Sequence, residues 1–209
     1  MLAFSRLTSI LLFVLSLSFL TCAAPTPKSN ALAAREGVRS DAGLLVAACV
    51  DARAKVVASA DVICKLDDIV KIKTNVKVMI DDINVFATLV AKLKLVDADV
   101  KVKAEIAAHL LVILKAIIKI CVHLIAKLSL NVALELIASI QAALKLVIDN
   151  LNVCIVGFLE VFVKIVTDAE LKALADVHLD AILKVIVTLC VKLGLNVDVK
   201  VLGPLGISL

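Results

Sequence analysis

The chain has no tryptophan and no tyrosine, and its 209 residues include only three histidines, three prolines and six glycines. Outside the first 23 residues the aromatic complement is Phe86, Phe158 and Phe162, so Ala, Val, Leu and Ile must build any core. A catalytic pocket usually recruits aromatic and polar side chains around a concave site, and there is little of either to recruit. From Leu44 to Leu193 there is no proline and a single glycine, Gly157, which removes the punctuation that strands and tight hairpins need. The sequence also lacks a Cys-x-x-Cys pair, a His-x-x-x-His pair, a phosphate-cradling glycine loop and a Gly-x-Ser-x-Gly elbow. It has no Asn-x-Ser/Thr sequon, and no motif that identifies a family.

What is present is aliphatic: 62% of the residues are apolar, against the ordinary ~45–50%. Arg6, an uncharged run from Ile10 to Leu20 and the small-residue site Thr21-Cys22-Ala23 predict a secretory signal peptide over residues 1–23. Residues 24–40, with Pro25 and Pro27, are expected to form a flexible lead-in. Removing the signal leaves 22 basic and 19 acidic residues, a net charge of +3, too balanced to argue for nucleic acid. Beyond the signal no uncharged run exceeds the ten residues Asn150–Leu159, whereas a spanning helix wants ~20 apolar residues. The expectation is therefore a secreted, extracellular protein, with the cell wall as an alternative destination and no transmembrane span in the mature chain.

Apolar positions step by three and four, as in Val76, Met79, Ile80, Ile83, Phe86, Val90 and Leu93, which places them on one helical face. Alternation in Val70-Lys-Ile-Lys and Val100-Lys-Val-Lys favours strand locally, but the lack of glycine and proline favours long helices. With Asp, Asn, Ser and Thr read as caps, five helices are predicted near 42–58, 61–96, 98–129, 132–166 and 169–193. Asp61, Asp97, Asn131 and Asp168 take the N-cap positions and Gly194 the C-terminal glycine position. Breaks at Thr74-Asn75 and Asn150–Asn152 would make seven shorter helices.

A sixteen-residue stretch occurs twice, His109–Leu124 and His178–Leu193, with nine identities including His, Lys and Cys. Ile80–Val85 returns as Ile148–Val153, and Asp97–Lys101 as Asp168–Lys172, in the same order at a spacing near 70 residues. The expected fold is all-α: an antiparallel bundle over 41–197 built from two tandem helical hairpins, about 61–130 and 131–197. An apolar, non-helical tail follows over 198–209.

Five cysteines lie beyond the signal, and export allows disulfides to persist. If neighbouring helices run antiparallel at ~1.5 Å per residue, Cys49 and Cys121 lie at about 16 and 13 Å above one end of the bundle. By the same rise Cys64 and Cys190 lie at about 4 and 6 Å and Cys154 at about 34 Å. The predicted bridges are Cys49–Cys121 and Cys64–Cys190, with Cys154 as the odd thiol.

His109 and His178 occupy equivalent repeat positions and read as rim histidines. His123 lies about 21 Å along the helix from His109, too far to share a metal. No catalytic residue, metal site or cofactor is expected, and the chain reads as a non-enzyme. Lys115, Lys119, His123 and Lys127 recur every four residues as a basic ridge, partly repeated by Lys184 and Lys192. Such ridges are usually solvated, and their functional form is a surface-binding face towards lipid headgroups or an acidic polymer. The apolar excess predicts more apolar helix surface than the usual stripe, pointing to self-association, an apolar cavity between helices, or adsorption to lipid, a hydrophobic surface or a partner's helices. The leading function is thus binding of apolar ligands, lipid or hydrophobic surfaces. A self-assembling wall or matrix protein is the alternative, and a membrane-active toxin or effector the second alternative.

Overall fold

A computed structural model describes residues 41–93 and 98–195, and these are helical without strands. The signal peptide, the lead-in, Asp97 and the 198–209 tail lie outside the described residues. Among the described residues seven helices follow in order: α1 Asp41–Ile63, α2 Ile69–Lys92, α3 Val100–Lys127, α4 Leu130–Cys154, α5 Phe158–Val163, α6 Asp168–Asp176 and α7 Asp180–Lys192.

The helix starts are set by side chains one to seven residues away from those expected. Asp68 caps α2 by accepting from the backbone N–H groups of Val70 and Lys71 at 2.8 and 3.1 Å, and Asp99 caps α3 through Val102 N at 2.7 Å. Ser129 rather than Asn131 precedes α4. Thr167 rather than Asp168 opens α6, in a capping box with Glu170. Asp61, expected to start the second helix, is instead inside α1. Thr74 and Asn75 do not break α2, because their side chains donate back to the carbonyls of Val70 and Lys71 in the preceding turn.

The breaks fall elsewhere. Gly157, at φ 73°, turns the chain between α4 and α5, a left-handed conformation that glycine adopts without penalty. The predicted last helix is divided at His178, which has φ 60°. There His178 N bonds to Ala175 O and Leu179 N to Leu174 O, the two bonds of a Schellman ending, and Leu174 and Leu179 are both fully buried. The end of α7 repeats the arrangement with Gly194 at φ 67°, through Gly194 N to Val191 O and Leu195 N to Cys190 O. One of the two endings has the residue its geometry favours, and the other has a histidine.

The connections Cys64–Asp68 and Leu128-Ser129 are short, so α1–α2 and α3–α4 are the antiparallel hairpins. They stack with like directions: α1 packs mainly on α3, and α2 on α4. This corrects the expected pairing of α2 with α3, which occupy opposite corners of a four-helix core. Asn150 locks the second parallel pair by donating from Nδ2 to Ala87 O at 2.9 Å. Then α5 packs on α3, while α7 rests on α4, α5 and α6. Gln141 of α4 caps α7 from across the interface, its Oε1 accepting from Ala181 N at 3.0 Å. Among the described residues every buried side chain is apolar, including Phe158 and Phe162, stacked 6.0 Å apart. Full burial of one such side chain contributes on the order of 1.5–3 kcal/mol.

Candidate binding groove

The basic ridge of α3 is a clasp between helices. Lys119 pairs with Asp61 of α1 at 3.0 Å and Lys127 with Asp67 of the following turn at 2.6 Å. His123 Nε2 donates to Leu66 O of the same turn at 3.0 Å, and Lys115 pairs with Glu170 of α6 at 3.0 Å. All four members proposed from sequence as a surface-binding face are engaged inside the molecule, because the acidic residues that meet them come from elements remote in sequence. The charges answer the pairing: Lys119 and Lys127 hold the carboxyls of Asp61 and Asp67 below the usual range. Burial alone would raise Glu170, but hydrogen bonds from Thr167 and Lys115 bring it down.

These contacts also set the helix register, and the register separates the cysteines. The α1–α3 ties join residues 55 to 60 apart in sequence, which places Cys49 level with residues 104–109 of α3. Cys121 then lies at least twelve residues, about 18 Å, further along, whereas a disulfide needs Cα atoms about 4.4–6.8 Å apart. The expected level of Cys49 was wrong because α1 continues to Ile63 instead of stopping near residue 58, and because the turn after it, through Leu66 and Asp67, lies beside His123 and Lys127 at the end of α3. Cys64 turns its Sγ to Lys119 O, while Cys190 packs near Asp168 and Leu171. None of the five cysteines of the described residues forms a disulfide. Burial pushes the Cys49 and Cys121 thiols up to about 12 and raises those of Cys64 and Cys190. Thiols held protonated in this way make poor nucleophiles and poor metal ligands.

The histidines do not converge. His123 is tied to the α1–α2 turn, His178 is exposed at the helix break, and His109 Nε2 is enclosed on α3 without a hydrogen-bond partner among the described residues. No group of three or more potential metal ligands occurs among the described residues.

Between the four long helices the space lined by Ala52, Val56, Ile83, Phe86, Ile113 and Leu144 amounts to only ≈10 Å³, about the volume one water-sized probe occupies. An internal ligand cavity, one of the forms expected from the apolar excess, is not what this core provides. Open grooves lie on the outside. One, of ≈640 Å³, runs along the outer face of α2 over Asp81, Asn84, Val85, Thr88, Leu89 and Lys92.

A second, of ≈440 Å³, lies where α4, α5 and α7 meet, within the ~300–1,000 Å³ range of ligand sites. Leu159, Ala181, Val185 and Leu189 form its half-buried floor, and Lys145, Lys184, Thr188 and Lys192 its rim. Lys145 is paired with Asp149 at 2.6 Å. Among the described residues Lys184 and Lys192 have no ion-pair partner, and no carboxylate lines the groove. The sequence repeat marks both lysines, but the floor was not legible, since Leu159 arrives only through the turn at Gly157.

Apolar side chains are exposed elsewhere too, notably Val100 at 75%, Val153 at 74%, Val70 at 72% and Val156 at 71%. The α3 and α4 helices are each long and apolar enough to cross a membrane by length and composition, with hydropathies of 2.1 and 1.6. Both are core helices of the bundle. No protein-family model matches the chain, and no curated protein or solved structure matches it.

Proposed function

We propose that this chain is an exported, non-enzymatic helical protein that binds apolar ligands, lipid or hydrophobic surfaces. The observation that carries the reading is the ≈440 Å³ groove of α4, α5 and α7, an aliphatic floor with two lysines left without partners among the described residues. Exposed valines at both ends of the bundle add apolar surface of the kind that marks an interface. The signal sequence supports export to the medium or the wall, and in this reading α3 and α4 remain in the bundle. Flotation with liposomes, adsorption to octyl-coated beads and native mass spectrometry of the secreted protein test it. Co-migration with liposomes, capture on the beads or co-purified lipid is expected. An empty protein that ignores both liposomes and beads refutes it.

The α3–α4 hairpin supports the membrane-active alternative, because two consecutive helices of spanning length are joined by only two residues. Release of dye from anionic vesicles is the result that alternative requires, and intact vesicles remove it. Concentration-dependent oligomers without lipid uptake would select the self-assembling wall protein.

A further inference from the structure

Helix α2 packs mainly on α1 and α4, and its buried stripe is matched by an exposed one on the far side. Thr74, Val78, Asp81, Val85, Thr88 and Lys92 follow one another at alternating steps of four and three residues, the 3.5-residue seam by which one helix packs along another. All six are exposed, Val85 at 64%, and the ≈640 Å³ groove runs over the last four of them together with Asn84 and Leu89. Neither Asp81 nor Lys92 has an ion-pair partner among the described residues. Eleven residues, about 16 Å along the helix, separate the two, so they cannot pair with each other within one chain.

We propose that this face of α2 binds the same face of a second copy of the chain, antiparallel, with Asp81 of each copy meeting Lys92 of the other. A two-fold axis makes every contact twice, residue i on j and j on i, so one acid and one base on a single face complete two ion pairs. The axis passes between Val85 and Thr88, and Val85 of each copy lies against Thr88 and Leu89 of the other. Charge selects this register. A parallel pair would set Asp81 on Asp81 and Lys92 on Lys92. Antiparallel overlap of the whole helices would match valine with valine and threonine with threonine, since Thr74, Val78, Val85 and Thr88 are disposed nearly symmetrically about Asp81. That overlap brings the two Asp81 carboxylates together at the axis, and like charges facing across an interface are costly. The regular seam and its charges of both signs favour a protein helix over an anionic lipid surface, which Asp81 would repel. The shared stretch, residues 81–92, is short, so the dimer belongs with the weak, reversible interfaces of less than about 1,200 Å².

The contact involves no residue of the groove of α4, α5 and α7, so it stands or falls apart from the proposed function. Sedimentation equilibrium of the secreted protein over a range of concentrations is expected to show reversible dimers. Asp81→Lys leaves lysines facing each other and Lys92→Asp leaves aspartates, so each variant alone should lose tenfold or more in association. Mixed together, the two variants are expected to form a one-to-one dimer, because every charged contact is then acid against base. Both side chains are exposed, and ellipticity at 222 nm checks that each variant is folded. A parent that is monomeric at every concentration, a dimer indifferent to either charge reversal, or a mixture that does not associate overturns the proposal. So does flotation of monomeric protein with anionic liposomes that Val85→Asp abolishes, since the face then serves lipid. An absent dimer removes this contact alone, while liposomes and octyl beads decide the proposed function.

Discussion

Replacing His178 by glycine is expected to stabilise this protein. His178 occupies the left-handed position of a Schellman ending at φ 60°, where a residue with a Cβ incurs roughly 1–2 kcal/mol. Glycine removes that penalty but enlarges the unfolded ensemble, at a cost of about 0.4–1 kcal/mol. The side chain is exposed and no hydrogen bond to it is present among the described contacts, so little else is lost. The net expectation is about 0.5–1 kcal/mol of added stability, a rise of roughly 1–4 °C in Tm for a domain of this size. Gly194 provides the mirror experiment: its φ is 67°, and a Cβ built there meets nothing within 4 Å. Gly194→Ala should therefore lose a similar amount for conformational reasons alone, and His178→Ala should change little. Without tryptophan or tyrosine the assay is ellipticity at 222 nm during guanidinium unfolding, with equal slopes showing that the surface exposed on unfolding is unaltered. A His178→Gly variant equal to or weaker than the parent refutes the left-handed ending at residue 178.

Phe158 is fully buried and stacked on Phe162, so Phe158→Ala should cost about 3–5 kcal/mol, read from the same unfolding curves; a loss under 1 kcal/mol would place it outside the core. Gln141→Leu removes the cap of Ala181 N and should cost on the order of 1 kcal/mol, with hydrogen exchange accelerated at the start of α7 and not in α1. Glu170 titrates below its ordinary value when folded, so its contribution is complete above the unfolded carboxylate range and disappears as pH falls through the lowered folded value. Glu170→Gln should accordingly narrow the difference in Tm between pH 7 and pH 3, and an unchanged difference would contradict the Lys115–Glu170 contact. Mass spectrometry of unreduced peptides should find no Cys49–Cys121 bridge, and Cys64, half-buried, should react with a maleimide well before Cys49 and Cys121; a bridge between those two would refute the register of α1 on α3.

Much of this architecture could be read from spacing. The steps Val76, Met79, Ile80, Ile83, Phe86, Val90 and Leu93 predicted the buried face of α2; all are buried except Ile80 and Leu93, which are half-buried against the core. Gly194 stands where a helix-ending glycine was expected. The boundaries moved because Asp and Asn are ambiguous: Asp61 and Asn131 read as caps, but Asp61 answers a lysine on another helix and Asn131 lies inside α4. The break at His178 was hidden by the repeat itself, since the same residues at His109 continue an unbroken α3. Helix pairing was misjudged because similarity between α2–α3 and α4–α7 records shared sequence and says nothing of which helices touch. The ridge Lys115–Lys127 was visible, but its partners, Asp61, Asp67 and Glu170, lie 55 or more residues away. Only the fold shows that those lysines are occupied and that, among the described residues, Lys184 and Lys192 have no ion-pair partner.

Stacking hairpins with like polarity has a consequence for synthesis. The cross-links from α1 to α3 and from α2 to α4 join residues 55 to 63 positions apart, so the first hairpin emerges with no mate for its greasy side. At ~5–20 residues per second, the wait is roughly 3–12 s. During that interval a nascent chain of this composition is a client for whatever machinery shields sticky segments, and delay in translation anywhere between Leu93 and Lys127 would prolong its exposure.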